Sequence, residues 1–113
     1  MVLNMLMIYY HLIQVENSDN VYFVAKFDLT NNGGSSLRSD EIVGMNLTYM
    51  DKYHYDGFVV VEDEDGRGFD TYEDITPLST RHFYYLIEVP KKLKGESYKL
   101  DIYFNKQEYI YQN

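Results

Sequence analysis

The fold of this chain is decided by the stretch VYFVAKFDLTNNGG, residues 21–34. From Val21 to Leu29 every second residue is apolar, and charged residues occupy some of the positions between. An alternation with a period of two is typical of a β-strand that buries one face. The last four residues of the stretch are two asparagines and two glycines, which tolerate positive φ and turn the backbone. The stretch therefore predicts a half-buried strand that ends in a turn.

Outward from this strand, further segments predict more strands, and no segment shows a sustained helical period of useful length. The predicted strands are residues 5–16, 21–30, 44–51, 58–62, 82–89, 98–104 and 108–111. Between them, residues 53–57 and 76–79 predict turns, residues 63–75 an irregular stretch, residues 91–97 a loop, and residues 37–43 a helical turn or an edge strand. This pattern predicts an all-β fold, an immunoglobulin-like β-sandwich of about seven antiparallel strands. A small β-barrel is the alternative architecture for these strands.

Length and composition are those of one globular domain, residues 1–113. Hydrophobic residues make up 45% and charged residues 25%, which are ordinary values for a folded protein. The apolar N-terminal run lacks the preceding Lys or Arg of a signal peptide, and polar residues interrupt it too early for a transmembrane span. We therefore assign this run to the first strand. We interpret residues 1–4 as disordered, or as the start that remains after a leader is removed.

Charge and motif content argue against several classes of function. The net charge is −8, with only 10 basic residues, whereas nucleic-acid binding requires clustered Lys and Arg. The chain has no cysteine and therefore no disulfide, thiolate metal site or cysteine nucleophile. It also has no phosphate-binding glycine loop and no nucleophile elbow. We predict no nucleic-acid partner, no transmembrane segment and no catalytic residue.

The acidic stretch at residues 63–74 is a candidate calcium loop, because calcium prefers closely spaced carboxylate and carbonyl oxygens. Its candidate ligands are Asp63, Asp65, Asp70 and Asp74. The spacing matches part of an EF-hand loop, but Arg67 occupies a ligand position and the flanking segments predict strands. The simpler interpretation is a solvated loop with glycines at its turns and no cofactor.

Tyrosine is unusually frequent, with 13 copies. Tyr49, Tyr53 and Tyr55 cluster near one predicted turn, together with His54. Tyrosine offers a large contact area with a polar tip at a low entropic cost, which suits a recognition surface. We therefore predict that these four residues bind a partner. The alternative is that tyrosine is frequent because it favours strands.

The order of several short motifs resembles a known family. A first strand leads to Gln14-Val15-Glu16, and a later one ends in Leu29-Thr30-Asn31-Asn32-Gly33. Pro77-Leu78-Ser79 precedes a strand that ends in Glu88-Val89-Pro90, and Tyr98-Lys99-Leu100 lies in a final hairpin. Over about residues 9–111 this layout is similar to immunoglobulin-like domains of unknown function in Gram-positive lipoproteins and secreted proteins, some labelled after telomeric-repeat-binding factors.

The resemblance implies a β-sandwich, an extracellular or cell-surface location and no established catalysis. Two features differ from the family: the lipidated cysteine of such lipoproteins is absent, and Pro77-Leu78 replaces the usual Pro-Gly. The missing cysteine weakens the case for a membrane anchor on this chain as given.

Several functional hypotheses follow from these features. The first is a non-catalytic interaction module of a bacterial surface or secreted protein, which binds a protein partner through exposed tyrosines and acidic loops. The second is a small acidic cytoplasmic inhibitor or immunity-type protein that masks a basic partner, if the chain as given is complete. A calcium-dependent binding module is the third. The edge formed by residues 108–111, from Glu108 to Tyr111, could also pair with a second copy to give a homodimer.

Overall fold

Antiparallel strands make up most of the chain in a computed structural model, which describes residues 2–12, 19–38, 43–63, 68–70, 74–104 and 106–113. In chain order the strands are β1 (Val2–Leu12), β2 (Asn20–Thr30), β3 (Leu37–Arg38), β4 (Val43–Tyr49), β5 (Tyr53–Asp56), β6 (Phe58–Glu62), β7 (Phe69–Asp70), β8 (Asp74–Ile75), β9 (Thr80–Pro90), β10 (Tyr98–Phe104) and β11 (Gln107–Gln112). A 3-10 turn, Lys91–Leu93, follows β9. The longer strands β1, β2, β4, β6, β9, β10 and β11 correspond to the predicted set.

Two sheets and a short ribbon contain these strands. The first sheet has the order β1-β2-β9-β6-β7, the second has the order β11-β10-β4-β5, and β3 pairs with β8. The pairings are antiparallel throughout the described strands. The predicted all-β sandwich of antiparallel strands is therefore confirmed.

The core lies between the two sheets. Its largest fully buried side chains are Tyr49, Phe23, Phe27 and Phe83. Phe27 and Phe83 occupy paired positions on β2 and β9, and their rings stack with centroids 5.5 Å apart. The alternating residues Val21, Phe23, Ala25, Phe27 and Leu29 of β2 are all buried, so the alternation in the sequence located the inward face correctly.

Some predicted boundaries were wrong. β1 begins at Val2, so residues 2–4 belong to the fold, and the predicted end of this strand at residue 16 lies outside the described residues. Residues 53–56 form a strand, not a turn, because the chain reverses earlier, at Met50 and Asp51, which both have positive φ. The stretch predicted as irregular contains β7 and β8.

Asn31 fixes the turn that follows β2. Its side chain is buried, and its Nδ2 donates hydrogen bonds to the carbonyl oxygens of Ser35 at 2.9 Å and Ile75 at 2.7 Å. Its Oδ1 accepts a hydrogen bond from the backbone N–H of Gly33. A buried amide that satisfies backbone groups in this way avoids the cost of unpaired polar atoms. Asn31 therefore ties the predicted turn to β8.

Gly57 lies where the chain passes from the second sheet into the first. A Cβ atom at this position would lie 2.0 Å from the carbonyl oxygen of Leu86 on β9. The hydroxyl of Tyr85 donates a hydrogen bond to the Gly57 carbonyl at 3.3 Å. Glycine is therefore required here by the close approach of two backbones.

Candidate functional site

Tyr49, one of the four predicted binding residues, lies in the core and not on the surface. It is 0% exposed, and its hydroxyl and that of Tyr10 share a hydrogen bond of 2.6 Å. The rings of Tyr55 and Tyr98 contact it edge-on, with centroids 6.4 and 6.1 Å away. Tyr49 therefore presents no area to a partner, and this part of the prediction needs correction. The inward pattern of β4 explains its burial, because Met45 and Leu47 share its face.

Burial also changes the acidity of this cluster. Removal from water raises the pKa of Tyr49 well above its usual range, and the hydrogen bond with Tyr10 raises it further. Burial raises the pKa of Tyr98 in the same direction. Tyr49 and Tyr98 are therefore neutral parts of the core that keep their protons under ordinary conditions.

The other three predicted binding residues lie on β5, at the edge of the second sheet. Tyr53 and His54 are exposed, and Tyr55 is half-buried against Tyr49. The ammonium group of Lys52 lies 5.0 Å from the ring centroid of Tyr53, and His54 Nδ1 lies 3.0 Å from the hydroxyl of Thr48. Tyr53 and His54 are thus available for contact, but they form a small patch.

The predicted calcium ligands are described only in part. Asp65 lies outside the described residues, as does the side chain of Asp70. Asp63 follows β6 of the first sheet, while Asp74 lies on β8 of the ribbon. Among the described residues, no three His, Asp or Glu side chains form a group able to hold a metal ion. Calcium binding therefore stays a prediction, and calorimetric titration with calcium tests it.

The outward face of the five-stranded sheet carries a larger apolar surface. We define the aromatic face as Tyr22, Phe58, Val60, Phe69, Tyr84 and Leu86. Phe58 and Phe69 are 50% and 58% exposed. Their rings meet those of Tyr22 and Tyr84 edge-on, with centroids 6.4 and 5.2 Å apart. The ammonium group of Lys26 lies 5.5 Å from the ring centroid of Tyr84.

Sequence reasoning missed the aromatic face, although a signal was present. In β2 and β9 some positions between the buried ones are also apolar, such as Tyr22 and Leu86. A strand that is apolar on both faces is either covered on both sides or offers one side to another molecule. Even so, strand pairing across β2, β9, β6 and β7 was needed to bring these residues together.

The same outer face holds a polar ladder toward the start of β9. His82 Nδ1 and Asp28 Oδ1 lie 2.5 Å apart, and the hydroxyls of Thr30 and Thr80 lie 2.8 Å apart. His82 is 53% exposed and stands on the outer face of a sheet, not in a closed cleft of the kind that enzyme sites use. The ladder is well explained as cross-strand pairing.

The acidic charge is concentrated in one part of the sequence. Residues 51–74 contain nine acidic and two basic residues, so this stretch carries −7 of the net charge of −8. The rest of the chain is nearly neutral. The stretch includes β5, β6 and the candidate calcium ligands.

A groove opens between the edge strands of the two sheets. It has a volume of about 430 Å³ and is lined by β1 together with β10 and β11, including Leu3, Met5, Phe104, Tyr109 and Tyr111. Its walls are mainly apolar. The groove thus leaves part of the sandwich interior open at this side.

Comparisons with known proteins bear on the fold alone. No protein-family model matches the chain, and no curated protein matches it. The chain is similar to the crystal structure of an uncharacterized β-sandwich protein from Clostridium difficile 630, with a TM-score of 0.85 and 24% sequence identity. The match covers 97% of this chain and 83% of that protein. Among the described residues, no helix has the length and apolar character needed to cross a membrane.

Proposed function

We propose that this chain is a non-catalytic interaction module of a bacterial surface or secreted protein, and that the aromatic face is its recognition surface. The observation that carries the proposal is the exposure of Phe58 and Phe69 on one continuous sheet face. Contiguous exposed apolar surface is characteristic of interaction sites, and aromatic residues are enriched in the centres of interfaces.

The chemistry of the site supports binding and not turnover. The aromatic face is an open sheet surface, and beside it Thr30 pairs with Thr80 and Asp28 with His82 across strands. Enzyme sites usually place a few polar groups in a concave pocket. The location outside the cell rests on the resemblance to immunoglobulin-like domains, and membership of that family is part of the proposal.

A capture experiment with matched variants tests the proposed surface. The protein is used as bait against envelope and secreted fractions, and the retained partner is purified and titrated by calorimetry. We expect Phe58→Lys with Phe69→Lys to weaken binding by roughly tenfold or more, because central aromatic contacts dominate interface energies. Tyr103→Lys is the control, since Tyr103 is 45% exposed on the second sheet. Equal binding by both variants, or turnover in an activity screen, would contradict the proposal.

A second candidate function is the masking of a basic partner by an acidic inhibitor or immunity-type protein. The concentration of charge in residues 51–74 favours it. The two candidates differ in their response to salt, because exposed ion pairs are screened while apolar contacts are not. We expect the partner to remain bound at about 0.5 M NaCl, where the Debye length is only several Å. Loss of binding in salt would favour the inhibitor instead.

A further inference from the structure

We propose that a second copy of this chain docks on β11, so that the four-stranded sheets of the two copies join across a two-fold axis at Ile110. β11 is the terminal strand of its sheet and pairs with β10. In the described part of the chain, no strand pairs with its other side. Such an edge presents a row of backbone donors and acceptors that another strand can satisfy. The aromatic face lies on the other sheet, so this inference is independent of the proposed function.

Other edges of the sandwich carry features that discourage pairing. β5 and β7 have four and two residues. β1 is long, but its register shifts between Met5 and Met7, and such bulges twist an edge away from a flat partner. β11 has six residues that pair with β10 in continuous register, and it contains neither Pro nor Lys. β11 is therefore the edge best suited to accept a strand.

The sequence of β11 is self-complementary in one antiparallel register. With the axis through Ile110, this residue faces its own copy, Tyr109 faces Tyr111, and Glu108 faces Gln112. The register places apolar and aromatic side chains in cross-strand pairs and brings no like charges together. An axis through Glu108 would instead place two carboxylates opposite each other. The pattern of side chains thus favours a second copy of this chain as the partner strand, and it favours the register centred on Ile110.

The distribution of charge permits two copies to meet here. Residues 98–113 contain two basic residues, Lys99 and Lys106, and two acidic residues, Asp101 and Glu108, so the β10–β11 hairpin is neutral. Nearly all of the excess negative charge lies in residues 51–74. Repulsion between the two copies is therefore small at this edge, although each carries a net charge of −8.

Docking on β11 would also cover apolar surface that each copy leaves open. Tyr109 pairs with the buried residue Ile102, so it lies on the inward face of the sheet, as does Tyr111 two residues later. Both tyrosines remain 45% and 42% exposed, because they border the groove between the sheets. A strand added to β11 extends the sheet over this groove and supplies two further tyrosines. The burial of these rings would favour association.

Cysteine cross-linking tests the register, because the chain contains no cysteine of its own. In an antiparallel pair, opposite Cα atoms lie about 4.5–5.5 Å apart, within the range of a disulfide. We expect Ile110→Cys to form a covalent dimer under mild oxidation. Glu108→Cys is the matched control on the same strand and face. Its two copies would lie roughly 14 Å apart at about 3.4 Å per residue, so we expect no cross-link. A mixture of Glu108→Cys and Gln112→Cys should cross-link.

Sedimentation equilibrium over a range of protein concentrations tests the association itself. We expect the unmodified protein to dimerise, and Ile110→Lys or Ile110→Glu alone to weaken dimerisation by roughly tenfold or more, because like charges then face each other. A mixture of these two variants should restore a dimer. Leu78→Lys, at an exposed turn, should dimerise normally. Circular dichroism verifies that each variant folds.

Three results would overturn the inference. The first is a monomer at every concentration reached. The second is an Ile110→Lys variant that associates like the unmodified protein, which would place any interface elsewhere. The third is a Glu108→Cys variant that cross-links as readily as Ile110→Cys, which would exclude the proposed register.

Discussion

Tyr49 places a phenol in the core of the sandwich, where its hydroxyl bonds to that of Tyr10. The arrangement is favourable only while the phenol is neutral, because a buried phenolate would lose its hydration. The pKa of Tyr49 is therefore raised in the folded state, chiefly by burial. The pKa of Tyr98 is raised for the same reason. In the unfolded chain both tyrosines would ionise with a pKa of about 10.

This difference predicts that the protein loses stability in alkali. Above about pH 10 the unfolded chain releases protons that the folded protein retains, so the free energy of unfolding falls as the pH rises. Each retained proton contributes a slope of up to about 1.4 kcal/mol per pH unit. Below pH 10 the folded and the unfolded protein both hold these protons, so the free energy of unfolding keeps its full value with respect to these two tyrosines. Urea denaturation at several values between pH 8 and about pH 11 measures the slope.

The variant Tyr49→Phe isolates this effect. It removes the buried hydroxyl, so we expect a shallower fall of the unfolding free energy above pH 10, together with a loss of about 1 kcal/mol at neutral pH for the missing hydrogen bond. Tyr103→Phe is the matched control, because Tyr103 is 45% exposed on the second sheet and lies outside the buried core. If the free energy of unfolding of both variants fell with pH as steeply as that of the unmodified protein, burial of Tyr49 would not be the cause of the alkaline instability.

At the scale of elements, the passage from β5 to β6 depends on Gly57. We expect Gly57→Ala to destabilise the protein by about 3 kcal/mol or more, because the added carbon would overlap a backbone carbonyl of β9 that cannot rotate away. Gly44→Ala on β4 is the matched control, since the space that its methyl group would occupy has no neighbouring atom within 4 Å. We expect that change to be neutral within about 0.5 kcal/mol or to stabilise the strand slightly. Urea denaturation of the two variants compares them, and equal effects would refute the steric argument.

Alternation of apolar residues located strands that bury one face. In β2 and β10 every second residue is apolar and faces the core, and both strands were predicted within one residue of their observed bounds. β5 gives no such signal, because its residues are exposed or half-buried and its position depends on pairing with β4. The turn before it places Met50 at a φ of 54°, a conformation that local preference does not favour for methionine.

The candidate binding residues were harder to predict from the sequence than the strands, because a surface is formed by residues from several strands. The alternation in β4 already placed Tyr49 on the same face as Leu47, so its burial followed from the pattern even though its cluster of tyrosines resembled a recognition patch. The aromatic face combines side chains from four strands, and only strand order brings Phe58 and Phe69 onto one surface with Tyr22. Such surfaces are tertiary features, and a linear pattern shows only their parts.

At the scale of the whole molecule, the uneven charge distribution affects stability. The chain carries a net charge of −8, most of it from the nine acidic residues within residues 51–74, and repulsion among like charges opposes the compact state. Salt screens repulsion of this kind. We therefore expect the free energy of unfolding to increase when NaCl is raised from about 10 mM to about 0.5 M, over which the Debye length falls from about 30 Å to several Å. Urea, which is uncharged, is the suitable denaturant.

Removal of a single charge distinguishes this repulsion from a general effect of salt. Asp56→Asn takes one exposed carboxylate out of the acidic stretch, and we expect it to raise stability by roughly 0.5 kcal/mol at low salt and to reduce the salt dependence. Glu96→Gln removes one exposed carboxylate from a basic segment of the sequence that contains Lys91, Lys92 and Lys94, so it should not raise stability. The protein concentration is kept constant so that self-association does not contribute to the difference. An equal change in the free energy of unfolding for the two variants would contradict this prediction. The net charge of the protein, and not the local repulsion within residues 51–74, would then explain the salt dependence.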